Sequence, residues 1–227
     1  MGTDDLFKKR RQERKQRKHA YKEPKANSFL IVTEGERTEP LYFRGIEREI
    51  KEKIGGMINV VEVPMIDIHG KGCSTGKLIE KTDEIVSKSK ILYQNVWVVF
   101  DKDDFEDFDD AIKEAEGKDY KVAWSNQSFE YWLYLHFSYS DSALHRVDWC
   151  KKLDAIFETN ELGEGKYQKN YENIYELINR VGSTETAVRN AKRRMADYEK
   201  MNYKPSEYDP GTTVYKLVLE LRKYIKE

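Results

Sequence analysis

Four short runs of β-forming apolar residues, each followed by a stretch with helical spacing, constrain this chain more than any other feature. Phe29-Leu30-Ile31-Val32 and Asn95–Phe100 (NVWVVF) carry almost no polar side chain, which marks a strand buried on both faces. Asn59–Met65 (NVVEVPM) and Lys121–Trp124 (KVAW) are read as the other two strands. A helix is expected from about Thr38, with Pro40 in its first turn, Leu41, Ile46 and Ile50 as its apolar positions and Gly55-Gly56 at its end. Thr75–Ser87 places Leu78, Ile79, Thr82, Ile85 and Val86 on one side, and a third helix carries Phe108, Ala111, Ile112 and Ala115 up to Gly117. Ser125 or Asn126 is read as the cap of a fourth. Such alternation predicts an α/β fold with a parallel sheet of about four strands flanked by helices. After Phe137 the pattern is helical only, around Leu144–Phe157, Tyr171–Val181, Val188–Tyr198 and a last helix opened by Asp209-Pro210-Gly211-Thr212. The expected organisation is a basic arm over residues 1–26, an α/β core over 27–137 and a helical extension over 138–227 packed on the core.

Charge is unevenly distributed. The 227 residues hold 41 acids and 40 Lys plus Arg, a net of −1, yet residues 1–25 carry ten Lys or Arg against four acids. That segment is +6, which leaves the other 202 residues at −7. With almost no aliphatic side chains it has little to offset the entropy of ordering, so it reads either as a solubilising tail or as an arm for phosphate backbones. No apolar run approaches the roughly 20 residues of a membrane span. Two cysteines, Cys73 and Cys150, and no C-x-x-C or H-x-x-x-H pair argue against a disulfide framework and a structural zinc. The expected setting is the cytoplasm, without membrane association.

Ligands of parallel sheets lie at the carboxyl ends of the strands, and two of these ends carry bare carboxylates: Glu34 after the first, Asp101 and Asp103 after the third. If those strands are neighbours the three acids converge, and such crowding calls for a cation. Oxygen ligands alone suit Mg²⁺ or Mn²⁺. Glu36, at a capping-box spacing from Thr33, reads as a helix-start residue, and Asp104, Glu106, Asp107, Asp109 and Asp110 as a solvated helix start. Glu130, amid Phe129, Trp132, Leu133 and Leu135 and four residues from Asn126, is either partnered or functional. His136 falls on a different helical face and reads as packed or surface. Gly70–Lys77 fails the phosphate-loop template, though Lys71 or Lys77 could assist a phosphate at the following helix. Lys166, Tyr167 and Lys169 form a basic loop, and Arg189, Lys192, Arg193 and Arg194 a basic helix face. Both are solvated surfaces or contacts for nucleic acid.

Three segments together resemble the RloB-like proteins of bacteria and archaea: Thr33-Glu34-Gly35 through Phe43, Val99-Phe100-Asp101-Lys102-Asp103, and Ser125–Phe137. The abortive-infection relatives of the AbiLii type are similar, and the Glu-Gly and Asp-x-Asp halves resemble the Toprim fold. The resemblance implies a Toprim-like core with Glu34 as ligand or acid/base and Asp101 and Asp103 as Mg²⁺ ligands. It also implies action on nucleic-acid phosphodiesters in phage defence, often beside an ATPase partner. The expected nucleic-acid contacts are Lys8, Lys9, Arg10, Arg11, Arg14, Lys71, Lys77, Arg189 and Arg193, with Glu130 joining the catalytic group. The competing expectation is a non-catalytic module that binds nucleic acid or a phage signal and works with an ATPase partner; a nucleotide phosphotransferase is a third.

Overall fold

A computed structural model describes residues 22–54, 64–102, 107–199, 201 and 203–225. Its centre is a five-stranded sheet in the order β2-β1-β3-β4-β5, formed by β1 (Glu23–Thr33), β2 (Met65–Gly70), β3 (Ile91–Asp101), β4 (Lys121–Asn126) and β5 (Gly211–Thr212). The first four are mutually parallel, and β5 runs antiparallel to β4. The two runs nearly free of polar residues, in β1 and β3, are the central pair, and Leu30–Val32 and Val98–Phe100 are fully enclosed.

Among the described residues eight α-helices surround this sheet: α1 (Thr38–Ile54), α2 (Thr75–Lys88), α3 (Phe108–Glu116), α4 (Phe129–Tyr134), α5 (Arg146–Thr159), α6 (Ile174–Asn179), α7 (Thr184–Glu199) and α8 (Val214–Arg222). The α2 and α3 helices pack on each other and on β3 and β4, whereas α1 touches β2, α6 and α8. The buried apolar residues, from Phe29 to Ile225, form one continuous cluster.

Four local expectations change. The first strand begins at Glu23, not near Asn27: Glu23–Lys25 pair with Ile91–Tyr93, and the register shifts between Lys25 and Phe29. These polar residues give no apolar signal because their side chains are exposed. The second strand is Met65–Gly70, in register with Ser28–Thr33, whereas the expected Asn59–Met65 falls outside the described residues up to position 63. Pro64 has no N–H for a ladder, and the Ile66, Ile68 alternation suits an edge strand. The fourth strand continues through Ser125 and Asn126, so Ser128 precedes the helix instead.

The last correction concerns Gly211-Thr212, read as the opening of a helix but in fact a strand. Ser125 and Thr212 share a hydroxyl contact of 3.1 Å, and Thr213 exchanges bonds with Trp124, its N–H donating to the carbonyl (2.8 Å) and its hydroxyl accepting from the N–H (2.9 Å). Two residues are too few for a period to be visible. No helix among the described residues is long and apolar enough to cross a membrane.

Candidate active site at the strand ends

The site is built where β1 and β3 stop side by side. Thr33 pairs with Val99, and beyond it the N–H of Glu34 still donates to Val99 O at 2.8 Å. The loop after β2 is tied to the same end, with Lys71 N–H donating to Thr33 O (3.0 Å) and Gly72 N–H to Glu34 O (2.8 Å). This fixes the Glu34 backbone on both sides. Its carboxylate turns toward β3: Oε2 accepts from the Asp101 N–H at 3.2 Å and Oε1 from the Thr75 hydroxyl at 3.3 Å.

Asp101, opposite Ser125 in the β3–β4 register, accepts on Oδ2 from the N–H of Phe129, the first residue of α4, at 2.9 Å. Burial, then the nearby carboxylates of Glu39 and Glu130, hold its carboxyl well above the usual range; the Phe129 N–H pulls the other way and Glu34 adds to the rise. Glu34 and Asp101 therefore crowd at this end as expected, and further carboxylates join them. Asp103 and Asp104 lie outside the described residues, while Glu39 and Glu130 supply the further charges.

Glu39 was not singled out by the sequence, because an acid in the first turn of a helix needs no other explanation. It is 9% exposed, and its carboxylate lies over the α-carbon of Gly35, where an added Cβ would stand 2.1 Å from Oε2. Glu36 does not close the expected capping box. The Thr33 hydroxyl donates instead to Gly35 O at 2.7 Å, and the Glu36 side chain lies over Gly72.

Glu130 is 2% exposed, and its Oε1 accepts from the Tyr167 hydroxyl (3.1 Å) and meets Lys169 Nζ (2.9 Å). Burial and then the Glu130 charge push the Tyr167 hydroxyl far up, so it remains a neutral donor. Partial burial pulls the Lys169 ammonium down, but Glu130 more than offsets this and the group ends above its ordinary value. Asn126 does not share a helix face with Glu130, since it belongs to β4 and donates to Ser206 O at 3.1 Å. Gly35, Glu36, Arg37, Thr38, Glu39, Gly72, Asp101, Phe129, Glu130 and Lys169 line a cleft of about 420 Å³.

Hard divalent cations suit such donors. Among the described residues no three His, Cys, Asp or Glu side chains form a ready-made metal group. Magnesium, however, is commonly held by one or two carboxylates plus substrate phosphates and water, and Glu34 with Asp101 meets that requirement.

The other candidates disperse. Lys8, Lys9, Arg10, Arg11 and Arg14 lie outside the described residues. Lys71 is half-buried beside the β1 end, and Lys77 is exposed on α2. Arg189 and Arg193, both exposed on α7, do not line the cleft. Arg189 instead lines a groove with Lys53, Lys192, Arg222 and Lys223, and Arg193 lies over the Tyr139 ring. Arg194, expected on the solvated face, is half-buried: its Nε donates to Pro210 O at 3.1 Å.

His136 belongs to the core. It lies 3.1 Å from the Tyr42 hydroxyl through Nε2 and 3.1 Å from Trp132 O through Nδ1, an arrangement that a neutral ring protonated on Nδ1 satisfies. Burial lowers its pKa to about 4. A base depressed on folding costs stability as pH falls below its unfolded value near 6.5 and on through about 4, a loss of roughly 3 kcal/mol when complete. The urea midpoint is therefore expected to fall less between pH 7 and pH 4 in His136→Asn than in the parent.

Comparison with curated proteins and with solved structures finds no match. The family model described as RloB-like protein matches residues 29–221, from the first central strand to the end of α8, and the chain therefore belongs to the RloB-like family.

Proposed function

We propose that this chain is a Mg²⁺- or Mn²⁺-dependent hydrolase of nucleic-acid phosphodiesters with a Toprim-like core, serving prokaryotic anti-phage defence from the cytoplasm, with an ATPase as partner. The observation that carries the reading is the junction of Glu34 and Asp101. Sixty-seven positions apart, they are joined where the Asp101 N–H donates to Glu34 Oε2 at 3.2 Å, and Asp101 lines the cleft. The AbiLii-type likeness and the defence role rest on the resemblance carried by Thr33–Phe43, Val99–Asp103 and Ser125–Phe137.

Glu34 and Asp101, with Asp103, would hold the ion. When bound, the ion polarises a phosphoryl oxygen and stabilises the leaving oxygen. The protein's own part is positional. Phe129 N–H fixes one oxygen of Asp101, Thr75 and the Asp101 N–H fix Glu34, and the rigid strand ends keep both carboxylates from rotating away. Glu39 and Glu130 deepen the negative potential that attracts the cation.

The test is cleavage of DNA and RNA by purified protein with and without Mn²⁺. Glu34→Ala and Asp101→Ala are each expected to lower the rate at least roughly a hundredfold, since outer supporting partners alone are worth ten- to a hundredfold. Cleavage that persists in chelator, or variants as active as the parent, would sink the proposal and favour a non-catalytic binding module.

A further inference from the structure

We infer that Lys169 contacts the substrate in this cleft, its ammonium taking a non-bridging phosphate oxygen of the nucleic-acid backbone, and that Glu130 is the positioning residue that holds it there. The inference rests on the reading of the cleft as a phosphodiester site.

A phosphodiester approaching this cleft meets Glu36, Glu39, Asp101 and Glu130, and like charges repel it. Two cationic side chains, Arg37 and Lys169, line the same space. Arg37 is exposed. Lys169 differs in being bound to the interior: its Nζ is 2.9 Å from Glu130 Oε1, yet its side chain stays 62% exposed while that of Glu130 is 2% exposed. A structural buried ion pair sequesters both partners. Here only the acid is buried, and an ammonium has three donors, so one bond to Glu130 leaves capacity for an anion.

The backbone around Lys169 is fixed in advance. Its carbonyl accepts from the Thr38 hydroxyl (3.0 Å), the Tyr167 N–H donates to Asp154 Oδ1 (3.1 Å), and the Tyr167 hydroxyl donates to the same Glu130 oxygen (3.1 Å). Elements α1, α4 and α5 thus hold one short segment at the cleft, which lowers the entropic cost of presenting the charge. Lysine binds phosphate as a point charge, which tolerates the sliding expected of a backbone contact and carries no base preference.

The experiment uses the full chain labelled with ¹³C,¹⁵N-lysine, which leaves the three ammonium donors in place, with Ca²⁺ instead of Mg²⁺ and short DNA and RNA oligonucleotides of one sequence. The Lys169 resonance, assigned by its loss in Lys169→Arg, is expected to move with whichever oligonucleotide saturates the anisotropy signal. Glu130→Gln should shift that resonance before any ligand is added. Lys169→Ala should weaken binding of that oligonucleotide roughly ten- to a hundredfold, the range for a hydrogen bond to a charged group. A Lys169 resonance that stays still at saturation overturns the inference, as does Lys169→Ala binding as tightly as the parent. If the resonance moves but the parent shows no cleavage with Mg²⁺ or Mn²⁺, the contact stands and the hydrolytic reading fails.

Discussion

Asp101→Asn is expected to raise the melting temperature of the metal-free protein by several degrees while reducing Mn²⁺-dependent cleavage by more than roughly a hundredfold. The two effects have one cause. Burial, followed by the charges of Glu39, Glu130 and Glu34, holds the Asp101 carboxyl well above its usual range. A carboxyl whose folded value lies above its unfolded value takes up a proton on folding. Its ionised form therefore costs stability at neutral pH, and that cost begins to fall as pH drops below the folded value and is gone only below the unfolded value of about 4. Asparagine is neutral at every pH yet keeps an oxygen to accept from Phe129 N–H, a bond of 2.9 Å in the parent. For a chain of this size each kcal/mol is worth about 2–4 °C. Thermal unfolding in chelator should show the variant above the parent at pH 7, with the gap closing on acidification. Mn²⁺ should stabilise the parent far more than the variant. A variant that melts below the parent in chelator at pH 7 would contradict the account of crowded charge.

Gly35→Ala should leave the protein folded and still reduce both Mn²⁺ affinity and cleavage, by about tenfold or more. A Cβ at this position would stand 2.1 Å and 2.5 Å from the two carboxylate oxygens of Glu39 and 2.6 Å from its Cδ. These atoms are the far end of a flexible side chain, so the chain gives way and the carboxylate leaves the cleft, while the backbone keeps its path. Glu39→Ala removes the same group directly. The two changes should therefore be non-additive, and the double variant no worse than Glu39→Ala alone within about 0.5 kcal/mol. Calorimetric Mn²⁺ titration of the four proteins measures this. Additive losses would mean that Gly35 acts through the backbone turn at Thr33 and not through Glu39.

The central strands and the meeting of Glu34 with Asp101 were legible in the sequence because each rests on a local signal. An unbroken apolar run specifies a doubly covered strand, and a carboxylate directly after it specifies a strand end. Adjacency of β1 and β3 remained a condition, met by the order β2-β1-β3-β4-β5. Glu39 was hidden because the helix dipole already explains an acid there. Lys169 carries only the signal of a basic loop, since the ion pair that brings it to Glu130 joins a turn to a distant helix and has no period. The edge strand β2 was displaced toward the β-branched Val60-Val61 run, where propensity is high, whereas the register with Ser28–Thr33 belongs to Met65–Gly70. The strand β5 had no signal, being two residues whose pairing is written in hydroxyls.

That last strand has a consequence for when the protein becomes competent. Gly211-Thr212 closes the β4 edge beside Ser125, the register partner of Asp101, and α8 then runs back until the Tyr224 hydroxyl reaches Asn27 Oδ1, a bond across 197 positions. A chain emerging from the ribosome with Glu34, Asp101 and Glu130 already outside still lacks the segment that seals the sheet next to them. Contacts of such long sequence separation form late, because loop closure must precede them. Synthesis thus works as a timer, and the sheet edge beside the site is sealed only after residues 211–224 have left the exit tunnel.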